Sequence, residues 1–395
     1  MRYRSFFLST GITTILVLAA VVTFNYQVDP YFIHQWDTPL LRRMSPPQQK
    51  IIPWVKTYAA YRYQPDIIFL GSSRAEIGLP TDSGLFKDKR VLNLAVSGAS
   101  LGDAISMLTH TSYFHQPQLV VWGLDFGWQF RKKAGNTDLI EELIAKDAMY
   151  PVKRFLLNLK RSLSMTTTRD AVAVATGTGE QKCLPMLTSY GQKSAQCLEY
   201  IMADEGGTKT AFAKITAKGD PQGSPADVQA AMHLLDQATR NACQKGTKLR
   251  FFLHPVHALA ELSYWENNVL SLEDWKRGLV RLFDQRRQEG CDIRFMDFSG
   301  YNRITTEAIP QRTGRESMDY YWEHSHYRSE VGELMLQQLL SQPGASQNTG
   351  FGVELDSTAI EGHLKQTRLD RNRYCRSHPE ETASKKLCAH IDASY

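Results

Sequence analysis

The stretch Pro65 to Arg74, reading PDIIFLGSSR, constrains the fold more than any other part of the chain. Four apolar residues, Ile67 to Leu70, run from Pro65 and Asp66 into Gly71, two adjacent serines and an arginine. An apolar run this short, closed at both ends by turn chemistry, predicts a strand buried on both faces, as parallel strands are. In open α/β sheets the ligand crevice lies beyond the carboxyl ends of the strands. A hydroxyl placed there meets solvent rather than core, which makes Ser73, or its neighbour Ser72, a candidate nucleophile. Gly-Ser-Ser is equally ordinary turn chemistry, in which the hydroxyls simply satisfy local amides.

The same rhythm recurs down the chain. Further strands are predicted at Arg90 to Leu94, Gln118 to Trp122, Lys248 to Leu253 and Asp292 to Asp297. Helical spacing separates them, at Leu101 to Phe114, about Ala226 to Lys245 and about Leu272 to Gln288, and an amphipathic helix ends at Leu340. Strands and helices alternating at this interval predict a parallel sheet with crossover helices. The pattern breaks at about 127–227. Ile140 to Ala175 reads as helical and carries Lys153, Arg154, Lys160 and Arg161; Thr176 to Pro225 is rich in Gly, Thr, Ser and Lys. Insertions at the functional end of a sheet commonly build a lid or substrate groove, so specificity is expected there. The predicted organisation is a membrane helix at 1–28, a stalk folding back onto the body at 29–65, an α/β domain at 66–341, and a helix with a cysteine-containing tail at 342–395.

After Arg2 and Arg4 no charged residue occurs from Ser5 to Val28. At about 1.5 Å per residue this stretch is long enough to cross a hydrocarbon core of about 30 Å. It ends in Thr-Phe-Asn-Tyr-Gln rather than a small-residue cleavage site, so an uncleaved signal anchor is expected rather than a signal peptide. The preceding arginines keep the short N-terminus in the cytoplasm. Tyr26, Tyr31, Phe32 and Trp36 then fall where an interfacial aromatic belt would sit. In a two-membrane bacterium the anchor is expected in the inner membrane, single-pass, with the body in the periplasm. All six cysteines lie on that side, and neighbour pairing is expected: Cys183 with Cys197, Cys243 with Cys291, Cys375 with Cys388. No Cys-x-x-Cys or His-x-x-x-His spacing suggests a metal. The net charge of +5 is spread along the chain and gives no reason to expect nucleic acid.

A serine at its free pKa needs a base within hydrogen-bond reach, itself oriented by a third group. His326 follows Glu323 by three residues, close enough for the carboxylate to reach the imidazole Nδ1–H. His324 competes for the role of base. Backbone N–H groups of Ser73 and Gly98 are candidate oxyanion donors, although Gly98 could equally meet a backbone need for positive φ. Arg74 is a candidate for holding a substrate carboxylate or for pairing with Asp125. His254 and His257, after a strand on the same edge, are candidates for lining the pocket or for local hydrogen bonding.

Gly71-Ser72-Ser73 after one strand, Gly98 after the next, Gly123-Leu124-Asp125 after the third and Glu323-x-x-His326 near the C-terminus resemble, in that order, the four blocks of the SGNH/GDSL hydrolase superfamily. The likeness covers roughly Asp66 to Leu340. Within the superfamily the chain looks like the membrane-anchored branch related to cell-envelope O-acyltransferases, such as the alginate acetylation and D-alanyl transfer proteins. That resemblance implies a flavodoxin-like three-layer α/β/α sandwich, Ser73 as nucleophile, His326 as base, Glu323 in place of the usual aspartate, and Gly98 as an oxyanion donor. It departs from the pattern at Asp125, where the third block normally presents an asparagine amide. An ionised carboxylate there accepts hydrogen bonds and donates none. The expected activity is transfer or hydrolysis of an O-acyl, most simply O-acetyl, ester on envelope or secreted polysaccharide or an acylated small molecule. It needs no metal or organic cofactor, and topology together with the resemblance implies a membrane-bound, acyl-exporting partner. A catalytically silent module that binds glycan or scaffolds an envelope complex is the alternative, and Asp125 is its best support.

Overall fold

The chain enters as a helix, α1 (Arg2–Val28), whose residues Tyr3–Val28 are long and apolar enough to cross a membrane. The computed structural model describes residues 2–31, 33–34, 52–130, 141–178, 187–188, 190–215, 224–266, 271–310, 318–341, 350–383 and 388. In chain order there follow α2 (Ile52–Tyr63), β1 (Ile67–Leu70), α3 (Ser73–Gly78), β2 (Val91–Asn93), α4 (Leu101–Phe114) and β3 (Leu119–Leu124). The region after β3 supplies α5 (Tyr150–Ser162), α6 (Met165–Thr176), α7 (Ala195–Asp204) and α8 (Gly207–Ala213). The alternation then resumes with α9 (Pro225–Gln244), β4 (Lys248–Leu253), α10 (Ala258–Glu261), α11 (Leu272–Gln288), β5 (Ile293–Asp297), α12 (Ser329–Leu340), β6 (Val353–Glu354) and α13 (Ile360–Ser377).

The strands form one sheet in the order β2-β1-β3-β4-β5-β6. The first five are mutually parallel, and β6 closes the edge antiparallel to β5. Successive side chains of a strand point to opposite faces, and both faces here are covered. Ile68, Leu70, Val120, Trp122 and Phe251 pack with Val55 of α2, Leu101 of α4, Leu235 of α9 and Leu279 of α11. Phe69, Val121, Phe252 and Met296 pack on the other side with Leu79, Leu259 and, from α12, Val331 and Leu336. Double burial is why β1 (IIFL) and β3 (LVVWGL) read as unbroken apolar runs.

Two boundaries differ from the sequence expectation. The segment taken as a stalk contains α2, whose Ile52, Val55, Lys56, Tyr58 and Ala59 are buried in the body. Its aromatic and polar composition hid a core helix, because Lys56 is buried with a counter-ion and Tyr58 lies under Arg154. At the other end, β6 and α13 lie beyond residue 341 yet join the sheet and the core, through Ile360 and Leu364. Cys243 is bonded to Cys291 and Cys375 to Cys388, as neighbour pairing predicts; Cys183 lies outside the described residues. Phe32 and Trp36 also lie outside them. Tyr31 does not face lipid, since it is buried under the Arg161 guanidinium, 3.9 Å above its ring.

Candidate active site

The β1–α3 turn divides its two serines between two tasks. Ser72 is fully buried and caps α3, its hydroxyl accepting from the Arg74 N–H at 3.3 Å. Ser73 is the first residue of the helix, half-buried, and its side chain turns outward. Its N–H is one of the helix-initial donors for which the helical ladder offers no acceptor. Turn chemistry therefore accounts for Ser72 and leaves Ser73 over.

The Ser73 hydroxyl lies 2.7 Å from Nε2 of His326. On the other side of the ring, Nδ1–H donates to Oε1 of Glu323. With the proton on Nδ1, Nε2 is the acceptor for Ser73. Glu323 receives the Ser325 N–H at Oε2 as well, at 3.0 Å, and Nδ1 of His324 stands 2.7 Å from that same oxygen. Burial alone would raise the Glu323 carboxyl, but the facing His326, its hydrogen bond and the adjacent His324 outweigh it and hold the group well below the usual carboxylate range. The competition between the two histidines is thus resolved by position: His326 reaches the serine, His324 braces the carboxylate. The His326 side chain is 26% exposed, so the serine–histidine pair can be approached from solvent.

The histidine loop comes this close because α3 ends in a glycine where the loop crosses it. A Cβ on Gly78 would lie 2.0 Å from the ring of Tyr327, and no side chain fits there. The loop is closed by Trp322 N–H to the His326 carbonyl at 2.9 Å and Arg328 N–H to the Tyr320 carbonyl at 2.8 Å.

Beneath the site Arg74 is buried, and its guanidinium donates to Asp125, to the Tyr264 hydroxyl at 3.0 Å, and to the carbonyl and hydroxyl of Ser325 at 3.3 Å each. For both Arg74 and His254 the local alternative is the one observed. Arg74 is consumed by Asp125, Tyr264 and the histidine loop, and its burial leaves no face for a substrate carboxylate. His254 is buried as well, Nδ1 within 3.1 Å of the Tyr327 hydroxyl and Nε2 4.0 Å from Asp125, so it supports the floor rather than lining an open pocket. Asp125 is an ion-pair acceptor: burial would raise its carboxyl, but Arg74 and His254 outweigh that and lower it. An ionised group in that position donates nothing to an oxyanion.

Gly98 adopts φ +74°, the left-handed region that favours glycine. The preceding Ser97 is held by Glu76 of α3, whose Oε2 accepts from Ser97 N–H at 3.0 Å and Ser97 hydroxyl at 2.5 Å. The other carboxylate oxygen of Glu76 receives Lys56 Nζ at 2.8 Å, with both side chains fully buried. This brace between α2, α3 and the β2 loop escaped sequence reasoning. Its one signal was the acid three residues after Ser73, which reads as helix capping but is spent on Ser97 instead.

No family model matches this chain. Nor does any curated protein. The site is therefore read from its own geometry: a hydroxyl, an imidazole and a carboxylate in series, beside a helix-initial N–H, which is the constellation that nucleophilic acyl transfer requires.

Three buried histidines set an acid limit on the fold. Burial is the main cause that lowers His110, His254 and His257 each to about 4. Below the unfolded value of about 6.5, the unfolded chain takes up protons that the native state refuses, so stability falls with pH down to the folded values. At about 1.4 kcal/mol per unit, the loss at pH 5 is about 2 kcal/mol per histidine. The buried Glu323 and Asp125 carboxylates, held low, contribute stability that persists until still lower pH. Urea midpoints are expected to drop steeply between pH 7 and 5; a flat profile would contradict neutral burial of these rings.

Proposed function

We propose that the chain is a membrane-anchored serine O-acyltransferase or esterase of the SGNH type. Its expected substrates are O-acyl, most simply O-acetyl, esters on cell-envelope or secreted polysaccharide. The observation that carries this reading is the 2.7 Å contact between Ser73 and the His326 imidazole, whose other nitrogen is held by Glu323. The strand order supports it, because 2-1-3-4-5 is the flavodoxin-like order and Ser73 follows β1, where the chain switches from β2 on one side to β3 on the other.

In the first half-reaction the Ser73 oxygen attacks the ester carbonyl while His326 Nε2 takes its proton. The Ser73 and Gly98 N–H groups would receive the oxyanion. Collapse breaks the bond to the leaving alcohol, which takes the proton back from His326 and leaves an acyl-serine. In the second half a sugar hydroxyl or water repeats the sequence from the other side. Transfer and hydrolysis thus differ only in which acceptor arrives. Glu323 keeps the imidazole in the productive tautomer and faces the imidazolium as it forms. The body would stand in an oxidising compartment, such as a periplasm, where its disulfides persist. An acyl-exporting membrane protein would supply the donor.

The test treats the full-length protein in detergent with a fluorophosphonate probe and with a chromogenic acetyl ester. One adduct, located on Ser73 by peptide mass, and a burst of chromophore are expected. A folded protein that neither labels nor turns over the ester would make the glycan-binding scaffold the better reading.

A further inference from the structure

Surface helices normally turn their apolar stripe toward the core and their charges toward water. Helix α5 does the reverse. Its inward side carries Tyr150, Arg154 and Arg161; Arg154 stacks 3.7 Å over the Tyr58 ring and donates to the Leu143 carbonyl and the Thr57 hydroxyl at 3.2 Å each. Arg161 lies 4.4 Å over Trp54 and covers Tyr31. At about 100° per residue, the opposite side is made of Val152, Phe155, Leu156, Leu159 and Leu163, every one exposed, with Phe155 at 64% and Leu156 at 57%. Lys160 and Lys153 lie along one edge of this stripe, Lys153 paired with Asp147 at 2.8 Å. Monomeric soluble proteins rarely leave so continuous an apolar face in water.

What lies beside that face decides its occupant. The uncharged part of α1 runs from Ser5, and about 20 residues at about 1.5 Å each cover a hydrocarbon core, which brings its exit close to Asn25. There the Asn25 side-chain amide donates to the Ser162 carbonyl at 2.8 Å and to the Thr168 hydroxyl at 2.9 Å. Those acceptors sit at the end of α5 and the start of α6. Tyr31 adds a bond to Asp170 of α6 at 2.5 Å. The apolar face of α5 therefore begins at the level where α1 leaves the bilayer.

We propose that α5 lies in the plane of the membrane interface, its Val152–Leu163 face sunk among the acyl chains and Lys160 beside it extended to the phosphates. The charged side binds the body and the apolar side binds lipid, so the helix is a second, peripheral attachment beside the spanning one. The inference rests on reading α1 as the membrane anchor.

The test uses the full chain in nanodiscs that contain anionic phospholipid. Among the described residues no cysteine is free, so one introduced cysteine can carry an environment-sensitive fluorophore, in the variants Phe155→Cys, Ile12→Cys within α1 and Gln337→Cys on the distant α12. All three positions are exposed, and near-native melting checks the fold of each variant. The Phe155→Cys label is expected to be quenched several-fold more by shallow doxyl lipids than the Gln337→Cys label, and to be shielded from aqueous iodide. If the Ile12→Cys label is shielded while the Phe155→Cys label is as open to iodide as the Gln337→Cys one, the anchor stands and the interfacial helix is wrong. If the Phe155→Cys label escapes both quenchers, protein covers the face instead of lipid and the proposal is overturned. An Ile12→Cys label open to iodide removes the anchor reading and this one with it.

Discussion

Ser73→Ala is expected to abolish labelling by a fluorophosphonate and to lower kcat for an acetyl ester by about 10⁴- to 10⁶-fold, the range seen when a residue of a serine relay is removed. His326→Ala should fall by a similar amount. The double variant should be no worse than either single one, because nucleophile and base act as a unit. Glu323→Gln is the finer instrument. The amide keeps the size of the carboxylate but can donate to Nδ1, which moves the proton to Nε2 and leaves Ser73 without an acceptor; a loss of about 10²- to 10⁴-fold is expected. Ser72→Ala should retain the chemistry and lose about 1 kcal/mol of stability, as a lost N-cap does. Single-turnover kinetics on the five variants checks the set, and full activity in Ser73→Ala with loss in Ser72→Ala would reverse the assignment.

Arg74→Met is the second large effect, and it is expected in stability. The ion pair with Asp125 is buried on both sides, at 7% and 0% side-chain exposure. Removing one member of such a pair strands the other charge away from water, at about 3–5 kcal/mol. Asp125→Leu alone should cost a similar amount. Combining the two replaces a buried pair with apolar packing, and much of the loss should return, since buried pairs are often near-neutral against hydrophobic substitutes. Urea denaturation of the two singles and the double measures the coupling. Additive losses would show that Arg74 draws its anchoring from Tyr264 and Ser325 instead. Because Arg74 also holds Ser325, between Glu323 and His326, ester turnover should fall in Arg74→Met even where the protein remains folded.

What the sequence made legible follows physical lines. The strands β1 and β4 and the helices α4 and α11 have the predicted limits, because doubly buried strands and capped helices write their periodicity into adjacent residues. The serine, histidine and glutamate that meet in the site each occupied short local patterns, and their order along the chain suggested their company. The floor was barely legible. The Arg74–Asp125 pairing was one of two readings open for that arginine, but its burial was not visible, and Lys56 with Glu76 gave no sign at all, because a charged residue carries no local mark that it will be buried. For the same reason α2 read as a stalk, since Lys56 and the tyrosines look like surface until their partners are known. The inverted polarity of α5 was equally hidden: its basic residues were visible, but which side of the helix met the body was not.

Under the proposed anchor and activity, the bonds that Asn25 and Tyr31 make to α5 and α6 would fix how the protein meets its substrate. A body on a slack leash sweeps a volume and samples every height above the bilayer, at an effective concentration set by its tether. A body bolted to its spanning helix has one working height and one bearing. Given the proposed chemistry, such a mount selects polymer by where a sugar passes relative to the bilayer, before any groove inspects it. Acylation would then fall on strands threading past at that elevation, as stitches fall only where the cloth crosses the needle.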